Sequence, residues 1–325
     1  MTTEAAGESA ALRDADSPDE QEPKPLGPDS LTWQIFGDWR GLLQGLWAGS
    51  MQNMHPQLGA AVAQHSIFFQ ERMQRLFRSL YPIGGVVFDG DRAVETARKV
   101  RGYHEQIKGI DDNGQRYHAL SPDVFYWAHA TFFIGTMLTK EYFGGGITEA
   151  ERRQLFDEHV QWYRLYGVSM RPVPATWEEF CDYYDYMCRE VLVPHPAALA
   201  VLDLSTLDKP PLTPWLPDRV WRWLRGHIEK HYVWLTVGLY HPAIREKLGY
   251  QWTERDERRL RAFGRWVHRV FRLLPKRIKL HPRAYDGYRR AAGKLPPDAP
   301  LRETPRRYLP PVSERDKPWH YSPDV

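Results

Sequence analysis

A fifteen-residue apolar run in the middle of the chain limits the possible folds more than any other segment. It reads VFYWAHATFFIGTML, begins at Val124 and contains no Asp, Glu, Lys or Arg. Ser121, Pro122 and Asp123 precede it and supply a helix N-cap, a first-turn proline and a first-turn acid. These signals predict a helix over residues 122–140. The run is shorter than the ~18 apolar residues that indicate a membrane span.

Helix start signals recur along the rest of the chain, and strand signals are rare. Helix starts are predicted at Thr148 with Glu151, Thr176 with Glu179, Asp218 after Pro217, and Thr253 with Asp256. Loops are indicated by GGVVFDGD, DDNG, FGGG and VPHP. Only Val86 to Phe88 favours a strand. The sequence therefore predicts an all-α fold, a single large multi-helix domain that is globin-like in broad architecture.

The two ends of the chain differ in composition from the body. Residues 1–30 are acidic and poor in aliphatic side chains, and residues 295–325 hold eight of the 26 prolines. Both are predicted to be flexible tails, although Trp319 and Tyr321 suit a C-terminal tail that lies on the body. No internal repeat or Gly/Ser-rich linker divides residues 31–294, which are predicted to form one helical domain.

Cysteine content and charge limit the compartments and partners that suit the chain. The only cysteines, Cys181 and Cys188, cannot form a disulfide framework and do not match a CxxC metal pair, which suits a reducing compartment. Without a signal peptide or apolar span, a cytoplasmic location is predicted, with peripheral membrane contact as an option. Residues 219–290 carry nineteen bases and six acids. Such a region suits a solvated helical face, nucleic acid, an anionic membrane or an acidic partner.

One histidine lies on the predicted central helix. Helical spacing places Phe125, Tyr126, Phe132 and Phe133 beside His129. A neutral imidazole on an aromatic wall is the kind of donor that a haem iron binds. A core histidine bonded to a backbone carbonyl produces the same pattern, and spacing does not decide between the two.

A basic segment precedes this helix. Arg98, Lys99 and Arg101 are candidates to meet haem propionates or to polarise bound dioxygen, although a solvated helical face explains them equally well. His104 lies 25 residues before His129, so antiparallel packing predicts a cavity that the two histidines share.

Other histidines offer weaker candidates. His55 and His65 flank small residues and suit either a pocket wall or structural hydrogen bonding. His227 and His231 share a helix face at zinc-chelating spacing, but Glu229 between them points away. The chain contains no HExxH, Gx(4)GK[ST], GxGxxG or GxSxG motif, which argues against zinc-protease, nucleotide and serine-hydrolase functions.

Four segments occur in the order GLLQGLWAGSMQNMHPQLGAAVAQHS, RKVRGYHEQIKG, DDNGQRYHALSPDVFYWAHATFF and VPATWEEFCDYYDYM. In combination they resemble the MpaB/latex-clearing-protein oxygenase family, over roughly residues 35–290. The resemblance implies an all-helical domain that binds haem b with His129 as the proximal iron ligand. It points to Arg98, Lys99 or Arg101 on the distal side, and it matches His104 to a recurrent histidine of pocket or structural role.

Characterised members of this family cleave carbon–carbon double bonds of isoprenoid chains with dioxygen. The resemblance therefore implies a haem b-dependent oxygenase that acts on a hydrophobic isoprenoid or lipid-like substrate. The alternative is a non-catalytic helical protein that binds haem or lipid and docks peripherally on a membrane. A nucleic-acid partner is not expected, because helical spacing is predicted to bury Trp221, Trp223, Trp234 and Trp266.

Overall fold

The computed structural model describes residues 23–68, 71–207, 209 and 215–314. Within these ranges the regular structure is almost entirely helical. The α-helices are α1 (Leu31–Phe36), α2 (Gly45–Asn53), α3 (Pro56–His65), α4 (Arg72–Phe88), α5 (Ala93–Gly102), α6 (Pro122–Leu138), α7 (Glu149–Arg164), α8 (Trp177–Tyr186), α9 (Pro196–Leu202), α10 (Asp218–Leu239), α11 (Pro242–Lys247), α12 (Glu254–Leu273), α13 (Lys276–Lys279) and α14 (Pro282–Ala291). One antiparallel hairpin is formed by β1 (Lys108–Ile110) and β2 (Arg116–His118).

Several neighbouring elements pack against α6. Twelve of its seventeen residues are buried, so the helix has no solvated face. α1, α2 and α7 pack against it, and a π-helical segment, Thr139–Phe143, continues it and packs against α12. A helix that is apolar on every side is stable only when neighbours cover all of it.

A buried ion pair joins α14 to the end of α4. The guanidinium of Arg283 on α14 donates from Nε to Asp89 at the end of α4, at 2.9 Å, and from Nη1 to the Tyr81 carbonyl at 3.0 Å. Thr96 on α5 donates to the same carboxylate at 2.6 Å. A Cβ at Gly85 would lie 2.4 Å from this guanidinium, so only glycine allows α14 to approach α4 this closely.

Four helices begin with a His-Pro pair. α3, α9, α11 and α14 each start at a proline, which has no amide proton to leave unpaired in a first turn. In three of them the histidine Nδ1 accepts from the amide two residues later, at 3.1 Å for His195, 3.3 Å for His241 and 3.2 Å for His281. Because an accepting Nδ1 carries no proton, these caps require neutral imidazoles.

The structure confirms the all-α prediction and most of the predicted helix starts. Thr148 and Thr253 form complete capping boxes with Glu151 and Asp256. The strand predicted at Val86 to Phe88 is wrong. These residues are the buried last turn of α4, and a short apolar run does not distinguish a buried strand from a buried helix.

Two further differences concern surfaces. The tryptophans of the basic region were predicted to be buried, yet Trp223 is 65% exposed and Trp266 is 59% exposed. The Pro-rich segment lies against the body over its described part, where Tyr308 stacks on Phe77 with ring centroids 4.2 Å apart. Trp319 and Tyr321 lie outside the described residues. So do residues 1–22, which make up most of the acidic N-terminal segment.

We expect the neutral cap of α14 to make the fold acid-sensitive. Burial, followed by the charge of Arg283, lowers the pKa of His281 from 6.5 to about 4. The unfolded chain therefore takes up this proton first as the pH falls, and the stabilisation present above pH 6.5 is lost towards pH 4. In His281→Asn, whose amide oxygen keeps an acceptor, the loss of unfolding free energy between about pH 7.5 and pH 5 should shrink by roughly 2 kcal/mol. Denaturant titrations at the two pH values measure the unfolding free energy. Equal losses in the wild-type and variant proteins would contradict a neutral His281 cap.

The contact between α12 and the end of α6 provides a second test. A Cβ at Gly264 would lie 2.0 Å from the Tyr142 carbonyl oxygen, whereas a Cβ at Gly226 on α10 meets nothing within 4 Å. Gly264→Ala should therefore lower the free energy of unfolding by about 1–3 kcal/mol. The matched control Gly226→Ala should raise it by about 0.5–1 kcal/mol, because alanine favours a helix interior. Similar effects of the two substitutions would show that the close approach of α12 to Tyr142 does not require a glycine at position 264.

Candidate functional site

A cavity of about 190 Å³ lies beside the N-terminal half of α6 and is enclosed by helices α2 to α6. Its lining combines apolar side chains with a few polar groups. The lining residues are Gln52, Asn53, Leu58, Ala61, Val62, Arg75, Arg78, Ser79, Pro82, Ile83, Val100, Tyr103, His104, Ile107, Ala119, Phe125, Ala128, His129, Phe132 and Tyr166. The two histidines predicted to share a cavity therefore do so.

His129 is held in a fixed orientation in the cavity wall. Its Nε2 lies 3.3 Å from the His159 carbonyl oxygen, while Nδ1 is buried with no hydrogen-bond partner among the described residues. The imidazole stacks on the His159 ring at 4.6 Å and meets the edge of Trp162 at 4.8 Å. Because a carbonyl only accepts, Nε2 carries the proton and Nδ1 carries a free lone pair.

Burial keeps this imidazole neutral. It lowers the pKa of His129 from 6.5 to about 3, although the hydrogen bond to the His159 carbonyl acts in the opposite direction. His129 is therefore uncharged at neutral pH. A neutral histidine with one nitrogen bound to a main-chain carbonyl and a lone pair on the other matches the donor state of histidines that bind metal ions.

His104 reaches the cavity from the turn that follows α5. Its Nδ1 donates to the Val100 carbonyl at 2.8 Å, so in the neutral ring of His104 it is Nε2 that carries the free lone pair. Burial lowers the pKa of His104, and the positive charge of Arg75 lowers it further. The ring meets the edge of Phe125 on α6 at 5.7 Å. The cavity thus holds two neutral imidazoles of fixed tautomer.

The positive charges in the lining come from α4. Arg75 donates from Nη1 to Ser79 at 2.6 Å, and the buried Arg78 donates from Nη2 to Glu71 at 2.6 Å. Arg78 also donates from Nη1 to the Tyr308 carbonyl at 3.0 Å. The sequence patterns did not point to these arginines. Residues 75, 78, 79, 82 and 83 repeat at the spacing of one helix face, but this spacing does not report that the face lines a cavity.

The basic residues singled out from the sequence lie elsewhere. Arg98 and Lys99 are exposed on α5 and are not part of the cavity lining. Arg101 is half-buried and donates from Nη1 to the Gly167 carbonyl at 3.3 Å. The face of α5 that carries Val100 turns towards the cavity and leaves these cations outside it.

The remaining predicted cofactor contacts divide between cavity and core. Phe125 and Phe132 line the cavity, whereas Phe133 points to the other side of α6 and stacks on His159 at 4.6 Å. His55 is buried before α3, where burial lowers its pKa to about 4. His65 ends α3 with its Nε2 3.0 Å from the Lys108 carbonyl. Neither His55 nor His65 belongs to the lining.

Amide side chains of α2 complete the polar side of the cavity. Gln52 donates from Nε2 to Thr131 at 2.7 Å and to the Ala128 carbonyl at 3.2 Å. These bonds join α2 to α6 beside His129. Trp127 adds a second connection, donating from Nε1 to the Met51 carbonyl at 3.1 Å. The position of His129 relative to α2 is therefore fixed on both sides.

The histidine pair on α10 has no third ligand in Glu229. Glu229 accepts from the Leu204 amide at 3.2 Å and so points away from His227 and His231, as its spacing predicted. In the part of the chain that the structure describes, no group of three or more His, Cys, Asp or Glu side chains is placed to hold a metal ion.

Comparison with known proteins agrees with this architecture. Residues 33–269 match the model of the family described as ER-bound oxygenase mpaB/B'/Rubber oxygenase, catalytic domain. The chain belongs to this family. The matched range includes every cavity-lining residue, so the cavity lies in the oxygenase domain. No curated protein and no solved structure matches the chain. None of the described helices is both long and apolar enough to span a membrane.

The protonation state of His129 can be measured directly. With a pKa of about 3, its imidazole should stay neutral down to about pH 5, with the proton on Nε2 and none on Nδ1. Nitrogen and carbon chemical shifts of the imidazole report both properties, and His129→Gln assigns the signals. Titration near pH 6.5, or a proton on Nδ1, would show that the ring is not held as described.

Proposed function

We propose that the protein is a haem b-dependent oxygenase that uses dioxygen on a hydrophobic isoprenoid or lipid-like substrate. Family membership supports the oxygenase class. The observation that carries the haem assignment is His129, a buried and neutral imidazole whose Nδ1 lone pair has no partner among the described residues. A buried nitrogen without a partner has a free-energy cost, and an iron ligand bond removes that cost.

The donor chemistry of His129 fits haem, and the size of the cavity requires a change in the protein before haem can bind. A haem iron would need only one histidine from the protein, so the group is compatible with the absence of a larger ligand cluster among the described residues. The cavity volume of about 190 Å³ is below the ~300–1,000 Å³ of most small-molecule sites. Binding of a flat macrocycle therefore requires the walls of the cavity to separate.

The side chains of the chain have distinct parts in this proposal. Bound haem supplies the activation of dioxygen. Phe125, Phe132 and Tyr166 exclude water and pack on flat apolar surfaces. Arg75 and Arg78 offer hydrogen-bond donors and positive charge to carboxylates or to oxygen that gains negative charge. His104, whose Nε2 is unprotonated, can accept a proton at that atom.

The lining also indicates the substrate class. Aliphatic side chains of α3 and α4, Leu58, Val62 and Ile83 among them, face the aromatic side of α6 across the cavity. No Asp or Glu is present in the lining. An uncharged hydrocarbon with a double bond is compatible with the aliphatic and aromatic part of these walls, where a polar group would lose hydration without compensation.

The haem proposal is tested by absorption spectroscopy of protein produced with adequate haem. The wild-type chain should show a Soret band and about one haem per chain in a pyridine haemochrome assay. His129→Ala should lose the stoichiometric haem and keep its helical circular dichroism, since the substitution removes only the ligand. His281→Asn, which changes a buried histidine outside the cavity, should keep the haem.

The outcomes separate the candidate functions. Full haem occupancy in His129→Ala would exclude His129 as the ligand. A colourless, folded wild-type protein that co-purifies with extractable lipid would favour the non-catalytic lipid-binding alternative. If haem binds, dioxygen consumption upon addition of an isoprenoid alkene, with carbonyl products, would establish the reaction, and Arg75→Met should slow it by about tenfold or more.

A further inference from the structure

The exposed side of α12 carries two parallel stripes of side chains. Trp266, Val270 and Leu273 repeat at the spacing of one helix face and are 59%, 36% and 86% exposed. Arg265, Arg269 and Arg272 repeat at the same spacing one residue earlier and are also exposed. We call these six residues the docking face.

This apolar stripe is not the surface by which α12 packs on the body. Leu260, Gly264 and Val267, on a different face of the helix, are its buried residues. Gly264 packs directly on the Tyr142 carbonyl at the end of α6. The exposed tryptophan and leucine are therefore additional to what the fold needs, and large apolar side chains exposed together indicate an interaction site.

The charge beside the stripe is uncompensated along the helix. All acids of α12 lie in its first turn, where Glu254 and Glu257 pair with Arg258 and Arg261. No acid occurs between residues 258 and 279, while α13 adds Lys276 and Arg277 next to Ile278, which is 58% exposed. The surface thus combines positive charge with protruding apolar groups.

A cationic cleft continues the docking face towards α10. Its volume is about 430 Å³, and its lining is His227, Lys230, His231, Trp234, Arg259 and Phe263. The Arg259 guanidinium lies 5.6 Å from the centroid of the Trp234 ring, and Phe263 stacks on Trp266 at 5.9 Å. With bases and aromatic rings and no acid, the cleft suits a phosphate headgroup.

We propose that the docking face binds the surface of an anionic lipid bilayer, with a lipid phosphate in the adjoining cleft. Tryptophan and leucine enter the boundary between headgroups and acyl chains, while arginines extend to the phosphates. A nucleic acid explains the charge but not Leu273, which is an aliphatic side chain and offers a base neither stacking nor hydrogen bonds. The proposal goes beyond the oxygenase function and does not depend on haem.

The test is co-sedimentation of the full chain with vesicles of phosphatidylcholine alone or mixed with phosphatidylglycerol. We expect binding to the mixed vesicles that weakens between about 0.1 M and 1 M salt, because screening shortens the range of the attraction. Arg265→Gln with Arg269→Gln should weaken that binding roughly 30-fold, at about fivefold for each arginine. Trp266→Ser should weaken it about tenfold through lost apolar burial.

Matched controls lie on the β1–β2 hairpin, which offers exposed residues of the same kinds. Lys108→Gln with Arg116→Gln, and Ile110→Ser, should leave vesicle binding unchanged. The proposal is overturned if the chain does not bind the mixed vesicles at low salt, or if it binds neutral vesicles equally well. Hairpin variants that weaken binding as much as the docking-face variants would also overturn it. Tighter binding to a random DNA duplex than to the mixed vesicles would favour a nucleic-acid partner instead.

Discussion

The burial of α6 on all sides is the constraint on which the rest of the structure depends. Because this helix has no solvated face, α1, α2 and α7 must cover it, and the π-helical extension at its end gives α12 a place to pack. Two polar side chains within that contact bond to the neighbouring helix: Gln52 donates to Thr131, and Trp127 donates to the Met51 carbonyl. The same bonds that satisfy the buried amide and indole also hold the backbone around His129, so the stability of the core and the geometry of the site have one origin.

The cavity arises where this enclosure is incomplete. Helices α4 and α6 each present one face to it, and the two faces differ in chemistry: aromatic rings and a neutral imidazole on α6, two arginines and aliphatic groups on α4. Neutrality of His129 follows from burial, whereas Arg78 forms an ion pair with Glu71 at 2.6 Å. A polar, cationic wall opposite an apolar one gives a bound molecule a defined orientation, which a uniformly apolar cavity would not do.

Local signals made the helices predictable, and their absence explains the failures. Thr148 and Thr253 satisfy amides within their own first turns, so a few residues of sequence suffice to locate those helix starts. The cavity shared by His104 and His129 was predicted correctly, because one short connection joins the two segments that carry these histidines. Arg75 and Arg78 were missed, since their position depends on how α4 docks against helices distant in sequence. Trp223 and Trp266 were placed in the core because helical spacing reports which residues share a face and does not report whether another helix covers that face.

The bond between Arg78 and Tyr308 has a practical consequence for how much of the chain is needed to form the cavity. The family match ends at residue 269, but the Tyr308 carbonyl accepts a hydrogen bond from the cavity residue Arg78, and the Tyr308 ring stacks on Phe77 of the same helix. Arg283, which anchors the other end of α4 through Asp89, also lies after residue 269. A fragment cut at the matched boundary would retain every lining residue and yet lose both attachments of α4. The smallest piece of this chain that preserves the site therefore extends to about residue 309, some forty residues beyond the recognisable domain.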